Sequence, residues 1–315
     1  MRILFAGTPD IAVPSLKSLA GRHEIVGVLT NPDRAGGRGR ALVPPPVKTA
    51  ALRLGLEVLQ PDRLDEVVLQ RIKALEPDIL VVVAYGKIFK NNFLSLFPAG
   101  GINLHPSLLP KYRGCSPIQA AILAGDEVTG ITIQRIALEM DSGAILARKT
   151  IELDGRETGG SLTGKAAGLG AELLVRVLGD LESGTLKETP QDTGGVSFCY
   201  RIRKEDGRID WSAPAQIIER KVRAYNPWPG GWTTWGDKRL VIFRAAVQES
   251  TSLPAGGKTP GKVLGVDKGR GFLIQTGRGV LSVEELQLQA KKVMDWKSFL
   301  NGNGGFPGSV LGSNT

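Results

Sequence analysis

Short apolar runs and longer amphipathic stretches alternate along the first 190 residues of this 315-residue chain. The runs Ile3–Ala6, Ile25–Thr30, Glu57–Leu59, Ile79–Ala84 and Gly101–Leu104 predict β-strands. Val81-Val82-Val83 has no polar break, as expected of a strand buried on both faces. Between the runs, Pro14–Ala20, Val47–Leu54, Leu64–Leu75 and Ser116–Leu123 predict helices, and Ser161–Leu181 predicts a longer one. This alternation predicts an α/β fold with a doubly wound, mostly parallel, Rossmann-like sheet. Ile131–Ile136 and Ala144–Ile151 break the rhythm. They predict an antiparallel addition at one side of the sheet, joined by a turn containing Glu139-Met140-Asp141-Ser142-Gly143.

Leu186–Arg203 contains Pro190, Gly194 and Gly195 and has little periodicity, so it reads as a linker. Residues 1–189 are therefore expected to form one domain, 190–205 a linker and 206–315 a second domain. Pro214–Ala224 predicts a helix. Trp232–Trp235, Arg239–Ala245, Gly261–Val266, Phe272–Gln275 and Val280–Leu288 then predict short strands, consistent with a small, OB-like β-barrel. The glycine-rich tail after Leu300 is expected to be loose.

Charge sharpens the division. The net charge is +9, but residues 1–190 carry 22 Lys and Arg against 20 Asp and Glu, whereas residues 191–315 carry 18 against 11. A basic barrel suits a polyanion such as nucleic acid, although a merely soluble basic surface fits equally well. The opening strand-like run is too short for a signal peptide or a membrane span. Cys115 and Cys199 are the only cysteines and form no framework, so the cytoplasm is the expected compartment. With two histidines and two cysteines there is no metal-ligand cluster to argue from.

The chemistry concentrates in Gly101–Gly114. Asn103 and His105 sit two positions apart, so on a strand their side chains share a face. An amide and an imidazole converging there can stabilise an oxyanion and move a proton. Pro106-Ser107-Leu108-Leu109-Pro110 then has to run as a fixed irregular loop. His23 has no such setting and reads as structural. Gly7-Thr8-Pro9-Asp10 follows the first strand where a dinucleotide site would carry Gly-x-Gly-x-x-Gly, which argues against NAD. Residues 31–48 form a long insertion with Arg34, Arg38 and Arg40 among glycines and three prolines behind them. Guanidiniums on such a finger suit phosphates and base edges, and a solvated loop is the plain alternative. Asp141 in its turn either bonds its own backbone or charges and orients a neighbouring imidazole.

The whole set resembles the methionyl-tRNA formyltransferase family over nearly the full length. The resemblance is carried by Phe5-Ala6-Gly7-Thr8-Pro9-Asp10, the Pro32-Asp33-Arg34 loop, Val82-Val83-Ala84-Tyr85-Gly86 and Ile102-Asn103-Leu104-His105. It continues through Ser107-Leu108-Leu109-Pro110-Lys111-Tyr112-Arg113-Gly114, Met140-Asp141-Ser142-Gly143 and Asn226-Pro227-Trp228-Pro229. It implies formyl transfer from 10-formyltetrahydrofolate to the methionine amine of initiator Met-tRNA, with no metal and no membrane, by a monomer. It implies Asn103, His105 and Asp141 as catalytic residues; the residue chemistry then expects Asn103 and a protonated His105 to donate to the oxyanion, with Asp141 keeping His105 charged and oriented. Ser107, Leu108, Leu109, Pro110, Tyr85 and Gly86 are implied to line the folate pocket, and Arg34, Arg38 and Arg40 to contact tRNA. The Asn-x-His-x-Ser-Leu-Leu-Pro core alone also fits a formyltransferase acting on an amino-sugar nucleotide. A non-catalytic tRNA-binding protein is the alternative of another class.

Overall fold

Arg2–Gly7 has five consecutive buried residues behind Arg2, and such a run is stable only inside a covered sheet. In the computed structural model, which describes residues 1–36, 41–248 and 259–312, it is an interior strand. The first strands are β1 (Arg2–Gly7), β2 (Glu24–Leu29), β3 (Arg34–Gly36), β4 (Ala41–Val43), β5 (Val58–Leu59) and β6 (Ile79–Val83). They continue as β7 (Gly101–His105), β8 (Arg113–Gly114), β9 (Val128–Arg135), β10 (Ile145–Glu152) and β11 (Phe198–Cys199). Seven of them form one sheet in the order β10-β9-β7-β6-β1-β2-β5. The five strands from β7 to β5 are parallel, and β9 and β10 are antiparallel additions beside β7. This is the predicted mixed sheet.

The helices are α1 (Val13–Ala20), α2 (Pro46–Arg53), α3 (Glu66–Ala74), α4 (Asn91–Leu94), α5 (Pro117–Ala124) and α6 (Gly159–Glu182). Asp65 caps α3 by accepting from the Val68 amide at 3.1 Å. Leu69 and Ile72 of α3 pack with Leu4, Leu80 and Val82 on one face of the sheet. α6 meets β7 through Gly170, where a Cβ would stand 2.5 Å from Leu104 Cδ1. His23 pairs with Glu182 at 3.3 Å and is structural, as expected.

Tyr85, Phe89, Phe93 and Phe97 form an aromatic ladder with centroids 5.7, 4.8 and 5.4 Å apart. The Tyr85 hydroxyl is buried without a hydrogen-bond partner, and burial pushes its pKa up. Tyr85→Phe is therefore expected to keep or raise stability, by about 1 kcal/mol. A denaturant midpoint that falls instead would show that the hydroxyl has a partner in solution.

Contacts divide the chain into two units. One comprises Met1–Pro117, Val128–Glu152 and Thr163–Tyr200; the other comprises Ile118–Glu127, Leu153–Leu162 and Arg201–Thr315. The segment read as a linker carries tertiary bonds of its own. Thr189 bridges Ile145, and β11 pairs in parallel with β8.

The second unit holds α7 (Ala215–Ala224), β12 (Gly231–Trp235), β13 (Lys238–Gln248), β14 (Val263–Asp267), β15 (Gly271–Gln275), β16 (Val280–Leu288), β17 (Met294–Asp295) and α8 (Trp296–Gly302). Its antiparallel sheet runs β12-β13-β16-β15-β14, with β17 on β16. Ile218 and Val222 of α7 join Trp211, Phe272, Phe299 and Phe306 in one core. The stretch 301–312 is packed, contrary to its glycine-rich composition. Phe306 and Leu311 are buried, Ser309 accepts from Val263 N at 2.9 Å, and Gly312 donates to Thr234 O at 2.9 Å. That segment bonds both end strands of the small sheet, β14 and β12, which are not paired with each other. Two apolar anchors outweigh the entropy cost of the glycines between them.

Candidate active site

β7 carries Asn103 and His105 to its carboxyl end, where parallel sheets present their ligand sites. Antiparallel β9 sets Gln134 opposite Asn103 and Thr132 opposite His105. Thr132 and Gln134 alternate with Ile131 and Ile133, so the polar pair shares one face of β9. Thr132 Oγ1 donates to Ser107 O at 2.7 Å and accepts from Leu109 N at 3.1 Å, which ties down the loop after His105.

The turn between β9 and β10 brings Asp141 to this face. Asp141 has φ 51°, a left-handed conformation uncommon outside glycine. The turn closes tightly, because a Cβ on Gly143 would stand 1.9 Å from Arg135 O. Asp141 Oδ2 accepts from the Gly114 amide at 2.9 Å and lies 3.6 Å from His105 Nδ1. Asp141 Oδ1 accepts from Gln134 Nε2 at 2.8 Å and from Asn103 Nδ2 at 3.3 Å. The sequence-derived trio of Asn103, His105 and Asp141 therefore converges on one point.

His105 is buried, and its Nε2 donates to Tyr112 O at 2.9 Å. Both ring nitrogens face acceptors. Burial nevertheless holds the imidazole below its ordinary pKa, outweighing the Asp141 carboxylate and the Tyr112 carbonyl, which both favour the charged ring. Burial thus favours the neutral ring, and Nδ1 faces the Asp141 carboxylate. Cys199 Sγ also donates to Tyr112 O, at 3.4 Å. Burial pushes that thiol up to about 11, so it stays protonated as a donor.

The remaining site candidates separate. Ser107 Oγ donates to Lys111 O at 2.6 Å, and Ser107 and Leu109 are both buried within their loop. Arg148 holds the Leu109 carbonyl. Leu108 and Pro110 keep partial exposure. Tyr85 is buried in its ladder, while Gly86 is exposed at φ 83° beside Ile88, which is 88% exposed. Arg34 is exposed on β3, which forms a hairpin with β4. Arg38 and Arg40 lie outside the described residues. The hairpin base is anchored by Lys48, which donates to Asp33 at 2.7 and 2.9 Å, and by Gln60, which donates to Asp33 at 2.8 Å. Asn31 Nδ2 donates to Tyr85 O at 2.8 Å and ties this base to the end of β6.

Residues 1–178 match the formyl transferase family, and residues 201–304 match formyl transferase, C-terminal domain. Over 311 residues the chain is 46% identical to methionyl-tRNA formyltransferase of Treponema pallidum, covering 96% of this chain and 97% of that one. The chain belongs to the methionyl-tRNA formyltransferase family. It is a formyl-transferring enzyme. The fold is shared with methionyl-tRNA formyltransferase from Clostridium thermocellum, at TM-score 0.57 and 17% identity over 80% of this chain and 95% of that one. It is also shared with WlaRD, a sugar 3N-formyl transferase, at TM-score 0.64 and 18% identity over 93% and 99%.

Three members of the site escape the sequence reading. The Gly114 amide and the Tyr112 carbonyl are backbone groups and carry no residue signature. Gln134 does carry one: it is a polar residue on the alternate face of an apolar strand, two positions after Thr132. No helix among the described residues is long and apolar enough to cross a membrane. No cluster of three potential metal ligands occurs among them.

Proposed function

We propose that this enzyme transfers a formyl group from 10-formyltetrahydrofolate to the α-amino group of methionine on initiator tRNA, in the cytoplasm. The observation that carries the chemistry is the buried His105 ring held between Asp141 Oδ2 and Tyr112 O, with Asn103 beside it. The amine nitrogen attacks the formyl carbon, a C–N bond forms, and the carbonyl electrons move to oxygen. Asn103 donates an amide hydrogen to that oxygen. The attacking nitrogen gives its proton to His105 Nδ1. The imidazolium then has N–H groups toward both Asp141 and Tyr112 O, the arrangement the site is built to stabilise. When the C–N bond to the donor breaks, His105 returns the proton to the departing nitrogen. This assigns His105 as base first and donor second. Burial favours this order over a ring protonated from the start, as the sequence reading has it.

Gly86, Ile88, Leu108 and Pro110 offer accessible surface at the ends of adjacent strands β6 and β7, suited to a flat heteroaromatic donor. In this reading Ser107, Leu109 and Tyr85 set the shape of that surface from behind. Residues 1–189 carry the reacting groups, the basic residues 206–315 bind tRNA, and 190–205, whose Gln191 bonds the Asp141 turn, joins them. Arg34 adds positive charge at the rim. Burial lowers the Lys87 pKa, and the Arg34 charge lowers it further against the opposing pull of Asp62, so an anion there would relieve repulsion.

Arg38→Ala is expected to reduce discrimination between initiator and elongator Met-tRNA by roughly 1–3 kcal/mol, through a base edge. Loss of Arg34 or Arg40 is expected to weaken both tRNAs alike and to flatten the log affinity–log salt slope by about 0.7–0.9. Formylation of both tRNAs across a salt series reads both effects, and variants unchanged in selectivity and slope would remove the finger from recognition. The function itself is tested by offering purified enzyme and 10-formyltetrahydrofolate either Met-tRNA or an amino-sugar nucleotide. Formylation of Met-tRNA alone is expected, and turnover only on the sugar nucleotide would refute the assignment.

A further inference from the structure

Gln191 lies in the aperiodic stretch before β11, and its side chain makes five hydrogen bonds within the first unit. Arg113 donates to Gln191 Oε1 from Nε at 3.2 Å and from Nη2 at 2.8 Å. At the other end, Gln191 Nε2 donates to Asp141 O and Gly143 O, each at 2.8 Å, and to Gln134 Oε1 at 3.2 Å.

The direction of these bonds is determined. A guanidinium has donors only, so it claims the oxygen of Gln191 and turns the NH2 group toward the three acceptors; its two hydrogens go to Asp141 O and Gly143 O, and the longer contact to Gln134 Oε1 shares one of them. One acceptor is Gln134 Oε1. With its oxygen taken, Gln134 must present Nε2 to Asp141 Oδ1, at 2.8 Å. Two amides in series thus carry the polarity of Arg113 to the carboxylate. Reversing either one would set oxygen against oxygen. The same NH2 group grips the carbonyls of Asp141 and Gly143, one on the left-handed residue and one at the tight approach to Arg135. Left-handed backbone at a residue with a side chain persists only where its surroundings fix it.

We infer that Gln191 is a positioning residue of the active site. It is polarised by Arg113, and it holds Asp141 against His105 through Gln134 and the turn backbone. The inference rests on the proposed action of Asp141 on His105.

Gln191→Met removes both halves of the relay without changing charge. Gln191→Glu keeps the partner of Arg113 and removes the donors. In the full-length enzyme each is expected to lower kcat roughly tenfold or more, with KM for 10-formyltetrahydrofolate within about twofold of the parent. In Gln191→Met the His105 pKa, read from its imidazole proton resonances, is expected to fall, because the carboxylate that raises it is no longer held in place. A merely structural glutamine would change stability without moving that pKa. A folded Gln191→Met enzyme with kcat within about twofold and an unmoved His105 pKa would overturn the inference. If that variant does not fold, Gln191→Glu decides by the same kcat and KM criteria. Asp141→Asn is measured alongside. Its collapse beside parent-like Gln191 variants would sink this inference alone, whereas parent-like turnover in Asp141→Asn would remove the reading beneath it.

Discussion

Replacing His105 by alanine is expected to lower turnover by roughly 10²–10⁴-fold, the range for a positioned general base. Asn103→Ala, which removes an oxyanion donor, is expected to cost roughly 10²–10³-fold. Both proteins should remain folded. Tyr112 O keeps the Cys199 thiol as a donor when the imidazole goes, and Asp141 Oδ1 keeps Gln134 when the Asn103 amide goes. Single-turnover formyl transfer with saturating donor isolates the chemical step. Either variant within a few-fold of the parent would remove that residue from the mechanism.

Asp141→Asn preserves size and deletes charge, and its effect is expected to approach that of losing His105. The carboxylate has three donors and the imidazole around it: Gly114 N, Gln134 Nε2, Asn103 Nδ2 and His105 Nδ1. An asparagine has one oxygen for these donors, so its NH2 group must face at least one of them. The imidazolium formed during transfer also loses its counter-charge. Turnover is expected to fall by roughly 10²–10⁴-fold, while KM for the donor changes little. Normal turnover at saturating donor, together with a large rise in KM, would reassign Asp141 to donor binding.

Much of this site is visible in the chain because its signals are local. A two-residue spacing placed Asn103 and His105 on one face, and a run of β-branched residues placed β6 in the middle of the sheet. Two strand patterns flanking Glu139–Gly143 placed the Asp141 turn beside that sheet. What escaped depends on tertiary register. Gln134 faces Asn103 only because β9 pairs antiparallel with β7 in one alignment. Gln191 sits in a stretch without periodicity, where no pattern records which side chain turns inward. Ser107 and Leu109 carry the motif of a pocket wall, yet their neighbours Lys111 and Thr132 bury them in the loop. The tail after Leu300 misleads for a related reason: glycine composition reports the entropy lost on ordering, not the burial of Phe306 and Leu311 that opposes it.

The central claim is that Asp141 acts on a His105 ring kept neutral by burial. The chain has only two histidines, His23 and His105, so their imidazole proton resonances are assigned by a single His23 substitution and titrated directly. The account predicts a His105 pKa below the ordinary value of about 6.5, falling further in Asp141→Asn. A His105 pKa at or above that value, or one indifferent to the loss of the Asp141 charge, would contradict it.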